Sequence, residues 1–575
     1  MSAMTCFPPA RLTLTLLLCL LLPPAVAQTL PDAGALLRES ERSLQAPRAA
    51  EPLAPLGVSR PMPEDAKAVR VSVQRVLIEG DSLIPEAELQ AQVAELVGQS
   101  LTLAELEHAA QRLAAYYRER GWYARVYLPE QDVTDGSLRI QVLEGRYDTS
   151  YLTVQAGQRA NAAKVQRVIT QRLVTGAPLT AAALERGLLL ANDLPGIEAH
   201  GLLQACEEEH GHSDLLLTVQ DTAFVTGDVG LNNHGIRSTG RAQAVGGLAL
   251  NNLSGQGDQL ALRLLASEGV RSAVARYSLP LGYDGLRLAA HGSWLAYTLG
   301  GSYRPLDAEG QARSAGLTLS YPLLRQSERN LTLSTGYEHR RYRDDMLGAA
   351  LRRHDINALN LGLNGDLRDG FGGGGLLWGS AQLTHGRLAM EDIAGDRAQD
   401  AAGPRSRDNY TKLALQLGRV QSLGAGWQMQ AALSGQTASG NLASSERMTL
   451  GGPSQVRAYP VNEADGDQGL LLKLELQREL GSGWQATAFY DTGRIRQHKR
   501  PWAGWAGGSS QPNSYSLSGL GLGVNWRGTG SLRGWQLAAS VATPVGSNLG
   551  SVQGRNSDGS GASSTRGWLS LQRVF

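Results

Sequence analysis

Residues 469–493 read GLLLKLELQRELGSGWQATAFYDTG, and the order of their side chains describes two neighbouring strands. Leu470, Leu472, Leu474 and Leu476 alternate with Lys473, Glu475, Gln477 and Glu479. That period of two puts apolar groups on one face of a strand and charges on the other. Gly481-Ser482-Gly483 is a short turn, and Trp484-Gln485 opens the next strand. With Trp484 facing lipid, alternation carries Ala486, Ala488 and Tyr490 to the same outer face and turns Thr487, Phe489 and Asp491 inward.

The pattern repeats outward from this hairpin. A strand at 409–421 ends in Gly424-Ala425-Gly426, and Trp427-Gln428 begins the next; Gly534, Trp535 and Gln536 do the same further on. Short turns thus alternate with long connections, and tryptophans recur at one depth. This is the pattern of a transmembrane antiparallel β-barrel with periplasmic turns, external loops and an interfacial aromatic belt. The last strand, Trp568 to Phe575, ends on an aromatic residue as bacterial outer-membrane barrels do. From 222 to 575 there is room for about 16 strands at about 10 residues each plus connections. The 69 glycines among 575 residues exceed the roughly 40 of average usage, and they cluster after about residue 225. No later apolar run reaches the roughly 18 residues of a membrane-spanning helix, so insertion is by strands.

The N-terminal part is of ordinary composition. Arg11, the apolar run Leu12 to Leu22, and Ala25-Val26-Ala27 predict a signal peptide over 1–27. The segment 28–46 holds a short helix at 31–46 with Leu37 and Leu44 one heptad apart, and 47–66 is a Pro-rich extended linker. A strand at 69–78 is followed by a helix at about 85–97 and a second behind a Thr102–Glu105 capping box, burying Leu103, Leu106, Ala110, Leu113 and Tyr117. Strands at 122–128 and 138–143 complete the unit. The same order returns between 151 and 220, so 67–146 and 147–221 read as two copies of one small α+β domain. A free sheet edge in such a domain accepts an extended client strand through backbone hydrogen bonds.

Composition excludes several function classes. A net charge of +1 gives no electrostatic footprint for nucleic acid. There is no GxxxxGK[ST] phosphate loop and no GxSxG elbow in strand-to-helix context. CEEEHGH at 206–212 reads as a hairpin turn rather than a metal site. No catalytic, cofactor-binding or metal-binding residues are expected, and the mature chain keeps only Cys206, which forbids an internal disulfide.

The long loop before strand 470 carries Leu450-Gly451-Gly452 and then Val456-Arg457-Ala458-Tyr459. Arg457 is the natural partner for the inward carboxylate of Asp491, because a guanidinium pairs bidentately with a carboxylate. At these residues the sequence resembles the two-partner secretion transporters, the TpsB family of haemolysin-activator/secretion type. There a VRGY-type tip on the sixth external loop enters a 16-stranded barrel and meets an FxDxG segment, matched here by Phe489, Asp491 and Gly493. Ala458 replaces the usual glycine, which would strain the backbone if φ were positive. GWYARVYLPEQDVTDGSLRIQVLEG at 121–145 and LERGLLLANDLPGI at 184–197 are similar to POTRA domains, and GLNNHGIRSTGRAQ and RYSLPLGYDG (276–285) to the family's barrel. The resemblance implies a pore-plugging role for the helix of Leu37 and Leu44. It also implies nucleotide-independent export of a cognate secreted protein, a TpsA-like adhesin, cytolysin or toxin, from the periplasm to the cell surface. Outer-membrane lipids, and the barrel assembly machinery acting on the strand that ends at Phe575, complete the expected partners. The alternatives are an outer-membrane insertase, which usually carries three or five POTRA domains, and a passive porin, which has no use for the soluble N-terminal domains.

Overall fold

The computed structural model describes residues 30–44 and 70–575, apart from 81–82, 123, 134, 146, 148–151, 157, 206–212, 392 and 508–509. The expected signal peptide, the Pro-rich linker and the 206–212 turn lie outside the described residues. Helix α1 (Ala33–Leu44) comes first. The first small domain then runs β1 (Arg70–Ser72), β2 (Arg75–Glu79), α2 (Glu86–Val93), β3 (Ser100–Thr102), α3 (Leu103–Glu119), β4 (Ala124–Tyr127) and β5 (Ser137–Glu144). Its sheet is ordered β2-β5-β4, with β2 parallel to β5.

Two expectations are corrected in this domain. The single strand at 69–78 is broken, because the N–H groups of Gln74 and Arg75 both donate to Gly136 O and Val73 N–H donates to Gln99 O. β1 therefore pairs with β3 and only β2 joins the sheet. The Thr102–Glu105 capping box of α3 is present, but Leu103 is 59% exposed. The buried stripe is Leu106, Ala109, Ala110, Leu113 and Tyr117, and Leu103 lies about 60° round the helix from its centre.

The second domain repeats the plan with β6 (Leu152–Ala156), α4 (Ala162–Thr170), α5 (Ala181–Asn192), β7 (Ile197–Ala205) and β8 (Ser213–Asp221), in sheet order β6-β8-β7. Both are POTRA-like units with two helices packed on a small sheet.

Sixteen antiparallel strands then close a barrel. They are β9 (Val225–Asn232), β10 (Gln243–Asn251), β11 (Gln259–Ala266), β12 (Val270–Leu281), β13 (Leu286–Thr298), β14 (Glu309–Arg325), β15 (Arg329–Met346), β16 (Ala349–Asp369), β17 (Gly375–Met390), β18 (Asp408–Gly424), β19 (Trp427–Ala438), and, after a hairpin of β20 (Met448–Thr449) and β21 (Asp465–Gly466), β22 (Gln468–Gly481), β23 (Trp484–Arg496), β24 (Ser514–Arg527), β25 (Trp535–Pro544) and β26 (Arg566–Val574). β26 pairs with β9 to complete the ring. Helix α6 (Ala394–Ala402) sits in the loop after β17. Ala425 and Gly426 have φ of 48° and 78°, and Ser482 and Gly483 have 50° and 81°. Two successive positive values make the two-residue hairpin turns whose twist matches the strands. Leucines such as Leu317, Leu359, Leu417 and Leu522 are exposed around the wall, an apolar belt that only a bilayer covers.

The second domain is bolted to the short-turn end of the barrel. Arg172 donates to both carboxylate oxygens of Asp284 at 3.0 and 2.8 Å, while Arg186 donates to Asp284 at 3.3 Å and to Pro322 O at 2.9 Å. Arg325 clamps Asp193 at 2.8 Å, and Ser327 N–H donates to Glu185 at 2.9 Å. Burial pushes the Asp284 carboxyl up, but the bonds from Arg172 and Tyr321 and the nearby guanidinium charges outweigh it and hold it below the ordinary carboxylate range. A depressed acid contributes attachment above its unperturbed value of about 3.9 and loses that contribution as pH falls through the lowered value. Asp284→Ala should therefore broaden the spin-label distance distribution between positions 166 and 326 at neutral pH. In the unmodified chain the same broadening should appear only in acid, below about pH 3.9.

Candidate functional site

The barrel lumen is occupied by two pieces of the same chain. On one side α1 lies against the inner faces of β11 to β15, where Leu36, Leu37 and Leu44 share an apolar cluster with Leu295, Tyr297 and Tyr342. A fully buried leucine contributes about 1.5–3 kcal/mol. The N-terminal turn of α1 is satisfied by carboxylates: Ala33 N–H donates to Asp344 and Ala35 N–H to Asp32, each at 2.8 Å. Asp32 is paired in turn with Arg352 at 3.3 Å. Negative groups at a helix N-terminus are favourable for the same reason that its N–H groups need acceptors.

The other occupant is the loop between β19 and β22. Its two arms pair as β20 and β21, so that Thr449 faces Asp465, and its tip reaches β23 and β24. Arg457 donates to Asp491 through Nε at 2.8 Å, Nη2 at 2.7 Å and its backbone N–H at 3.1 Å. Its remaining nitrogen, Nη1, pairs with Glu475 at 2.9 Å, and the guanidinium lies 3.4 Å from the centre of the Phe489 ring. Asp491 has no exposed surface and Arg457 is 8% exposed. Two carboxylates and a π face thus surround one cation, the arrangement a buried charge requires. Val456 and Tyr459 are fully buried in the same cluster.

Ala458 does not have a positive φ, so no strain arises where the family has glycine. Space for its methyl comes from the opposite wall. A Cβ on Gly519 would lie 2.4 Å from that of Ala458, and one on Gly521 would lie 2.4 Å from the Phe489 ring. Gly493 is likewise packed against Leu450, whose Cδ2 a Cβ there would approach to 2.7 Å.

Helix and loop are joined to each other. Arg38 donates to the carbonyls of Ser444 and Arg447, the latter at 3.0 Å. Arg42 donates to Thr449 Oγ1 at 3.0 Å, and Ser444 donates to Asp32 at 2.8 Å. Beside them Glu446, 1% exposed, is held by Arg340 at 2.6 Å and Lys412 at 2.7 Å. Beyond both occupants a cavity of about 1120 Å³ opens toward the external loops, with Arg38, Arg352, Arg447, Trp502 and Arg566 in its wall.

The structure brings Arg457, Asp491 and Phe489 into contact, places Val456, Ala458, Tyr459 and Gly493 in the same cluster, and puts Leu37 and Leu44 in the other. Sequence reasoning did not find Glu475 or Glu446 as charge partners, nor Trp568, whose indole N–H donates to Arg457 O at 2.8 Å. Glu475 was legible as an inward residue of its strand; its partner was not.

Arg457→Ala leaves Asp491 and Glu475 facing a vacated cation site, a defect of about 3–5 kcal/mol. In a chain with Cys206 replaced by Ser, a cysteine at the buried position 455 should then react with a bulky maleimide at least about tenfold faster. Gly519→Val should do the same by steric expulsion of Ala458, with Arg457 untouched. Unchanged reactivity in both variants would mean that neither contact holds the tip.

Residues 211–526 match the family of the haemolysin secretion/activation protein ShlB/FhaC/HecB, and residues 71–145 match the ShlB-type POTRA domain. The heme/hemopexin transporter protein HuxB of Haemophilus influenzae (strain 86-028NP) is 26% identical over 563 residues, 95% of either chain. The outer membrane transporter CdiB of Escherichia coli O6:K15:H31 is 26% identical over 541 residues, 90% of this chain and 84% of the relative. The solved structure of CdiB from Escherichia coli shares the fold with a TM-score of 0.64 at 22% identity, covering 95% of this chain and 99% of that one. CdiB from Acinetobacter baumannii gives 0.61 at 18% identity over 94% and 97%.

Proposed function

Because the chain belongs to the haemolysin secretion/activation protein family, outer-membrane transporters of two-partner secretion, we propose that its POTRA domains capture one cognate exported polypeptide in the periplasm and that α1 and the Arg457 loop yield the pore to it. The client is a large secreted adhesin, cytolysin or toxin of the TpsA type, largely unfolded during passage. The observation that carries this reading is the occupied lumen. A pore for small solutes is kept open, whereas this one is filled by two segments hydrogen-bonded to each other, above domains that can present sheet edges to an extended chain.

Segments 28–46, 47–66, 67–146, 147–221 and 222–575 then serve as plug helix, linker, first POTRA domain, second POTRA domain and barrel. Passage of the client needs no bond-making step by the chain and no nucleotide. Insertion of the barrel itself falls to the assembly machinery, acting on the last strand and Phe575.

Capture through backbone pairing and apolar contact tolerates salt and has modest affinity, since a client held too tightly does not advance. The test is binding of a 67–220 fragment to the N-terminal segment of the large exported protein encoded beside this chain. Micromolar binding that persists in moderate salt supports the reading. A fragment that fails to bind while the full-length transporter binds would move recognition to the barrel.

A further inference from the structure

The outer wall of the barrel carries a cluster of arginines away from the lumen. On the lipid-facing side of β13 to β17, the directly opposed residues Leu317, Tyr337 and Leu359 form one apolar row. Leu319, Leu361 and Leu383 lie on the same face toward the POTRA-docked rim. Two to six residues further from that rim the character reverses. Trp294 stands opposite Arg313, Arg313 opposite Arg341, and Arg341 opposite Asp355. Arg343 stands opposite Arg353 in the neighbouring row, and Arg387 opposite Asn357. Alternation puts all of them on the face of Leu317 and Tyr337.

These rows hold two like-charged cross-strand pairs, Arg313 with Arg341 and Arg343 with Arg353. Like charges directly opposite one another destabilise a sheet. Two of the four have local relief: Arg341 donates to Asp355 at 2.8 Å, and Arg353 bonds Asp345. Among the described residues no carboxylate pairs with Arg313, Arg343 or Arg387, and all three are exposed. Glu309, diagonal to Arg343, and Glu391, beside Arg353, share this face. The positive excess therefore centres on Arg313, Arg341 and Arg387, just beyond the hydrocarbon belt and level with Trp294, which is 39% exposed. A half-exposed tryptophan at that height marks the headgroup boundary. The boundary is that of the outer leaflet, because β15 begins at Arg329 beside the POTRA-docked turn and runs away from it.

We propose that Arg313, Arg341, Arg343 and Arg387 form a binding surface for the phosphate groups of the outer-leaflet glycolipid, lipid A. Guanidinium groups match phosphate oxygens bidentately, and basic clusters at a membrane boundary bind lipid headgroups. A bisphosphorylated headgroup supplies anions to Arg313 and Arg343, the member of each pair without a carboxylate, while its acyl chains lie along the Leu317, Tyr337 and Leu359 row. The glycolipid would hold the long strands β14 to β17 at a fixed height in the membrane.

The test uses the full chain in detergent, with bound lipid counted by native mass spectrometry. Bisphosphorylated lipid A should bind at least about tenfold more tightly than phosphatase-treated lipid A or phosphatidylglycerol, and millimolar inorganic phosphate should not displace it. Replacing the four arginines together by glutamine should abolish that preference in a barrel that still shows heat-modifiable migration. If that variant does not fold, Arg313→Gln with Arg343→Gln should reduce the preference several-fold, and the phosphatase comparison needs no variant. Equal binding of treated and untreated lipid A, equal binding of phosphatidylglycerol, displacement by free phosphate, or full preference in a folded variant would each overturn the proposal.

Discussion

A β-sheet in a bilayer has no water to satisfy its edges, so every backbone N–H and C=O must find a partner within the sheet. Closure of β26 on β9 meets that demand, and the rest of the structure follows from it. Sixteen strands enclose more space than their own inward side chains fill, so closing the ring creates an aqueous hole. α1 and the loop between β19 and β22 occupy that hole from opposite walls. The second POTRA domain is fixed to the rim through Asp284, Asp193 and Glu185, at the short-turn mouth of the barrel.

The occupants of the lumen are held by apolar packing and by buried charge together. Arg457 is shared by Asp491 and Glu475, and Glu446 by Arg340 and Lys412. Such groups are costly to strand and cheap to exchange between partners, because the penalty arises from leaving a buried charge alone rather than from the pair itself. The contacts from Arg38, Arg42 and Asp32 to residues 444–449 join the helix to the base of the loop, so that displacement of one removes support from the other.

Much of the barrel was legible because lipid imposes a period of two on one face. The alternation at 470–480, the two Gly-x-Gly turns and the tryptophans after them all lie in this category, and the inward direction of Asp491 followed from Trp484 alone. The break at Val73-Gln74 was not legible, since a three-residue strand paired with β3 has the same composition as the strand beside it. Leu103 fell just outside a stripe whose true centre depends on where the sheet lies. Glu446, Glu475 and Trp568 acquire their partners from segments distant in sequence, and no local pattern records that. The same holds for Ala458, whose acceptability is decided by Gly519 on another strand.

If the closed ring is a conduit obstructed by its own N-terminal helix together with the Arg457 loop, its conductance depends on residues 28–46. Single-channel conductance of the purified barrel in planar bilayers, with and without residues 28–46, tests it most directly. A clear rise in conductance is expected when the segment is removed, with barrel assembly unchanged. Identical conductance of the two proteins would contradict it and leave the loop as the sole obstruction.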